Sequence, residues 1–168
     1  MPKSEKLEFQ TEVSQLLKLM INSVYSEKEV FVRELVSNAS DACDKLRYLA
    51  NTKEKLIKDD PNFKIQIAID KKSNLISISD NGVGMNKKDA SLLASNRGTT
   101  IELTLTKDSK EYLDKDRILN IIRRYSDHIS IPIYISDGTE KKDETLESVN
   151  SASAIWTRPK NKISAEQY

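Results

Sequence analysis

The chain has 168 residues, enough for one domain with a real core and a short additional segment, and its 27 Lys+Arg against 26 Asp+Glu leave no basic excess to hold nucleic acid. No apolar run approaches the roughly 18 to 20 residues of a spanning helix, and the N-terminus leads into an amphipathic pattern instead of a signal core, so no membrane partner and a cytoplasmic location are expected. The single cysteine, Cys43, excludes an internal disulfide and, with no CxxC and no histidine nearby, gives no zinc pattern.

Phe9, Val13, Leu16, Leu17, Met20 and Val24 follow helical spacing and predict a first amphipathic helix ending near Asn22 or Ser23. Ser26-Glu27-Lys28-Glu29 is a capping-box pattern that opens a second helix, from about Glu27 to Ala50. Within it Glu34, Asn38, Asp41 and Lys45 recur at i, i+4, i+7 and i+11 and stack along one line. Phe31, Leu35, Ala42, Leu46 and Leu49 form a second line about 75° away and predict the buried face, with Arg33, Ser40, Asp44 and Arg47 on the far side. A polar line beside a buried face needs partners to offset desolvation. A ligand site and a structural polar network satisfy that need equally well.

After the Asp59-Asp60-Pro61-Asn62 loop the period changes to two. Phe63, Ile65, Ile67 and Ile69 alternate with polar or small residues as a strand buried on one face. Lys72-Ser73-Asn74 turns the chain, and in the next strand Ile76 and Ile78 set a phase that points Asp80 inward. Asn81-Gly82-Val83-Gly84-Met85 follows, holding two of the chain's 4 glycines, a spacing that allows a tight turn and a close backbone approach. An Asp in such a turn either caps its own loop or, taken with the polar helix line, forms half of a site. Farther on, Ile101, Leu103 and Leu105 predict a strand, Ile118, Ile121, Ile122 and Tyr125 a helix stripe, and Ile129, Ile131, Ile133 and Ile135 another strand, closed by an Asp137-Gly138 turn. His128 is the lone histidine and is expected to be structural.

The E-x-x-x-N-x-x-D helix followed by an inward Asp and a glycine turn resembles the ATP-binding fold of type II topoisomerases, mismatch-repair ATPases, histidine kinases and the heat-shock protein 90 chaperones. The words Tyr25 to Leu35, Asn38 to Tyr48, Tyr125-Ser126-Asp127-His128-Ile129 and Ala154-Ile155-Trp156-Thr157-Arg158 are similar to the chaperone family in its bacterial HtpG form, and the likeness runs from Glu8 to Tyr168 apart from a short join near Ala90 to Asn96. A topoisomerase-like or mismatch-repair ATPase lacks support from the later words.

The resemblance implies an α+β two-layer sandwich of the Bergerat type, its mixed, mostly antiparallel sheet short of some strands and covered by helices on one face. It implies ATP or ADP as ligand with Mg2+. Asp80 would accept from the adenine amino group, with Gly84, Met85 and Thr99 near the base. Asn38 would help hold Mg2+ on the phosphates, Glu34 would act as general base, and Asp41 and Lys45 would complete the wall. It also implies a stress-response chaperone that binds unfolded client proteins and works as a homodimer in its full-length form, assisting folding through an ATPase cycle. By the same resemblance residues 1–139 form the ATP-binding domain, 140–150 a charged linker, and 151–168 the start of a middle domain.

One departure is internal. In the family a lid and a glycine-rich phosphate loop follow the Gly84-Met85 turn, whereas here the chain passes through Ala90 to Asn96 directly into Arg97-Gly98-Thr99. Without those parts, and without the middle-domain arginine, catalysis by this chain alone is left open, and a remnant or interaction module that binds no nucleotide is the other reading.

Overall fold

Alternation sets the strands. The computed structural model describes residues 28–84, 97–140 and 146–152. The expected first helix, the Ser26 cap, Met85, the join near 90–96 and the Trp156 region lie outside the described residues. Residues 1–31 and 32–168 form two compact units, and the second holds the whole sheet.

That sheet contains β1 (Ile65–Asp70), β2 (Leu75–Asp80), β3 (Thr99–Thr104) and β4 (Ile133–Ser136) in the order β3-β2-β1-β4. The β1–β2 and β2–β3 pairs are antiparallel, and β1–β4 is parallel. Register gathers the β-branched side chains on one face: Ile67 lies between Ile78 and Ile135, and Ile78 between Ile67 and Ile101. Ile65, Ile67, Ile69, Ile76, Ile78, Ile133 and Ile135 are all buried there, each burial worth about 1.5–3 kcal/mol. The alternate residues Gln66, Ala68 and Asp70 are exposed. Asp80 belongs to the isoleucine face, opposite Ile65 on one side and Thr99 on the other, as the alternation predicts.

Helices α1 (Val30–Ala50) and α2 (Lys115–Tyr125) supply the second layer, completing an α+β sandwich. Asp114 caps α2 by accepting from the Asp116 N–H at 3.1 Å, and Ile118, Ile121 and Ile122 turn inward. Among the turns, Asp70 accepts from the Lys72 and Ser73 N–H groups. Asn74 takes φ 52°, which Asn tolerates.

Two expectations need correction. The alternation of isoleucines begins at Ile129, but the ladder begins only at Ile133. Pro132 has no N–H to give, and its carbonyl instead accepts from Ile65 N at 3.0 Å, so pairing starts just beyond it. On α1 the buried residues are Val32, Val36, Ala39, Ser40, Cys43, Leu46 and Ala50, while Leu35, Ala42 and Leu49 are only half-buried. The helix is therefore rotated from the expected orientation. Glu34, Asn38, Asp41 and Lys45 are exposed, about 150° round from the centre of the buried stripe at 100° per residue.

The stretch from 140 to 150 is tied to the fold at both ends. Glu140 pairs with Lys115 at 2.6 Å. Asn150 is buried, donates from Nδ2 to the Ile129 and Ile131 carbonyls at 2.9 and 3.0 Å, and accepts from Ile133 N at 2.9 Å. Its side chain does the pairing that a strand would do across Ile129 and Ile131. Asn150→Ala leaves these three groups unpaired, and a loss of about 3 kcal/mol is expected, read in urea as a lower midpoint with unchanged slope.

Candidate functional site

β2 ends in a carboxylate that the chain fixes from several directions. Asp80 Oδ1 accepts from Gly82 N at 2.8 Å, so the residue does cap its own loop. The backbone of Thr99 also donates to it, and both bonds favour the ionised form. Desolvation outweighs them, and the Asp80 carboxyl is raised above the ordinary carboxylate value.

The glycines explain how the turn fits. A Cβ on Gly82 would lie 2.5–2.7 Å from the backbone of Ala42 and Cys43, so only glycine lets the turn sit this close to α1. There Val83 N donates to the Ala42 carbonyl at 3.0 Å. Gly98, at φ +96°, lies on the other side: its N–H donates to the Gly82 carbonyl at 2.9 Å, and a Cβ would meet the Asp80 carbonyl at 2.5 Å. The expected close approach is thus an approach to the helix and to the start of β3. Cys43 is buried against this turn, and burial together with the nearby Asp80 charge pushes its thiol up to about 12, which makes it inert.

Of the residues singled out from sequence, Asp80, Gly84 and Thr99 come together around this turn, Gly84 at φ +78°. Met85 lies outside the described residues. Glu34, Asn38, Asp41 and Lys45 share one exposed line of α1, and Ala42, where the turn docks, falls on the flank between that line and the buried stripe. Glu34 meets Arg33 at 3.2 Å in an exposed pair that adds little stability. On the opposite flank a cleft of about 690 Å3 is lined by residues including Arg33, Glu34, Asp41, Arg124 and His128, and Asp80 does not line it. Among the described residues no group of three or more His, Cys, Asp or Glu side chains could hold a metal ion. None of the helices searched among them is long and apolar enough to cross a membrane.

Sequence reasoning missed Asn81 and Arg97. The Asn81 amide bonds to Asp60, Asn62 and Lys64, and Arg97 stacks over Phe63 at 5.6 Å to the ring centroid. Asn81 stood inside the quoted motif, but its partners lie 17 to 21 residues away, beyond any local pattern.

Comparison with known proteins gives a consistent family. The chain is 38% identical to the chaperone protein HtpG of Chromobacterium violaceum over 244 aligned positions, which take in 98% of the chain. It is 36% identical to that of Rickettsia canadensis over 98% of the chain and 35% identical to that of Rickettsia bellii over 99%. In sequence, the chain belongs to the HtpG-type chaperones. It spans 39% of the length of the first of these relatives and 38% of the other two. The alignments run longer than the chain's own 168 residues, so the HtpG relatives carry positions inside the matched region that have no counterpart here. No family model matches the chain.

Two outcomes test this geometry. Gly82→Ala should destabilise the fold by about 1–3 kcal/mol in denaturant melts, because the atoms it meets are backbone and cannot swing aside. For Asp80, the raised folded-state pKa means that the folded protein holds the proton more tightly than the unfolded chain. The associated stability is complete below the unfolded value near 4 and is lost as pH rises through the folded value. The stability of the wild type minus that of Asp80→Asn should therefore fall from pH 4 toward neutrality in urea titrations, and a flat difference would contradict the assignment.

Proposed function

We propose that this chain is an adenine-nucleotide-binding region of an HtpG-type chaperone, with the base recognised at Asp80. The observation that carries the reading is the half-buried Asp80 carboxylate, oriented by two backbone N–H groups at the end of β2. An ionised carboxylate only accepts, so it suits the adenine amino group and disfavours the guanine carbonyl at the same place. Its two oxygens offer about four acceptor positions, so the two backbone bonds leave capacity for a ligand.

The phosphates would run toward the α1 line. There Asn38 would offer an oxygen to Mg2+, an ion that takes few protein ligands when phosphates and water supply the rest. Its exposure suits that use, since a metal arriving with the nucleotide needs no preformed cage. Bound Mg2+ would supply charge neutralisation at the phosphates. Glu34, one turn away, would orient water, and Asp41 and Lys45 would extend the polar wall. Gly84, Met85 and Thr99 would flank the base. Turnover further requires phosphate donors and closure, which the resemblance assigns to a segment without counterpart here. Client binding, folding assistance and a homodimer are proposed for the longer protein, and residues 1–139, 140–150 and 151–168 are its proposed domain, linker and middle-domain start.

A second reading, an interaction module that binds no nucleotide, is favoured by the exposure of Glu34, Asn38, Asp41 and Lys45. Calorimetric titration of the 168-residue chain with ADP and Mg2+ separates the two. Binding should be present and should weaken roughly 10- to 100-fold in Asp80→Asn, which loses a charge-assisted bond of about 1.5–3 kcal/mol. Silence in a cooperatively melting wild type would establish the second reading instead.

A further inference from the structure

The turn that carries Asp80 is held by the side chain next to it, which bonds to the loop before β1. Asn81 Oδ1 accepts from Lys64 N at 2.8 Å, while its Nδ2 donates to Asp60 Oδ2 and to the Asn62 carbonyl, each at 2.8 Å. One amide orientation satisfies all three partners: the oxygen must meet the N–H, and the NH2 must meet the two acceptors. Aspartate could not replace it, because a carboxylate has no donor for Asp60 or Asn62.

Asp60 Oδ2 also stands 3.4 Å from Arg97 Nη2, and Arg97 is largely buried. Arg97 precedes Gly98 and Thr99, whose backbone holds the Gly82 carbonyl and the Asp80 carboxylate. Asn81, Asp60 and Arg97 thus link the two strands that bracket Asp80 through a third segment, the loop before β1. The helix side is closed by the Gly82 contact with Ala42. With both flanks tied, the backbone that carries the carboxylate has little freedom to shift.

From this geometry we infer that Asn81 is a positioning residue for base recognition, fixing the Asp80 carboxylate through Asp60 so that the site distinguishes adenine from guanine nucleotides. The inference rests on the nucleotide reading above and adds a residue that touches no ligand. A merely structural Asn81 would affect all ligands alike through stability. A positioning Asn81 alters the contact to the base and leaves the rest of the nucleotide unaffected.

The test compares wild type, Asn81→Ala and Asp60→Ala by calorimetry with ADP and with GDP in Mg2+, together with the carboxyl titration of Asp80 followed by carbon NMR. The expected result is a loss on the order of 10-fold in ADP affinity in both variants, the scale on which orienting partners act, with GDP binding unchanged and the preference reduced accordingly. The Asp80 titration should also move down toward the ordinary carboxylate range as water enters. Wild-type ADP binding with an undiminished ADP-to-GDP ratio in both variants would overturn the inference and leave the nucleotide reading standing. No ADP binding by a folded wild type would overturn the nucleotide reading, and base recognition with it; an unmoved Asp80 titration would then also remove the positioning. Should Asn81→Ala fail to melt cooperatively, Asp60→Ala decides, since it removes the Asn81 bond and the Arg97 ion pair and leaves every residue of the turn in place.

Discussion

Backbone meets backbone where the turn after β2 docks on α1, and a hydrogen atom at Gly82 is all the space between them allows. That contact sets the distance between sheet and helix at the end where Asp80 lies. It also fixes which helix residues face the sheet, because the turn bonds to Ala42 and leaves Cys43 packed beneath it. A packed interior does not flex to absorb a methyl group at such a point. The α1 orientation, the burial of Cys43 and the setting of Asp80 therefore depend on the same close approach.

The electrostatics follow from that packing. Asp80 is raised by desolvation despite two backbone donors, whereas the surface-turn residues Asp70 and Asp137 are lowered by hydrogen bonds from neighbouring side chains and backbone. The contrast separates a carboxylate held at the edge of a core from carboxylates that close surface turns. Such a group, conformationally fixed and partly dehydrated, is suited to recognising a donor, and the nucleotide reading draws on that property.

Much of this was legible in the chain. Period-two alternation located β1, β2 and β3, and it turned Asp80 inward because the phase of Ile76 and Ile78 leaves no alternative. The rotation of α1 was not legible. Val32, Val36 and Cys43 on one side and Leu35, Ala42 and Leu49 on the other are both apolar, and the choice between them is made by the glycine turn of another element. Glycine scarcity marked Gly82 as a close approach without naming its target. Asn150 sits in a charged stretch that reads as solvated, and its three partners become visible only once Pro132 has interrupted the ladder.

Asn150 also bears on the order in which the molecule is made. The parallel pairing of β1 with β4 joins residues nearly seventy apart, and the carbonyls just before β4 wait for an amide at residue 150. On a growing chain the antiparallel β1–β2 hairpin can form early, because its partners are close in sequence. The β4 edge cannot be completed until translation has passed residue 150. Until then that edge carries unpaired groups, which leaves it open to wrong pairing.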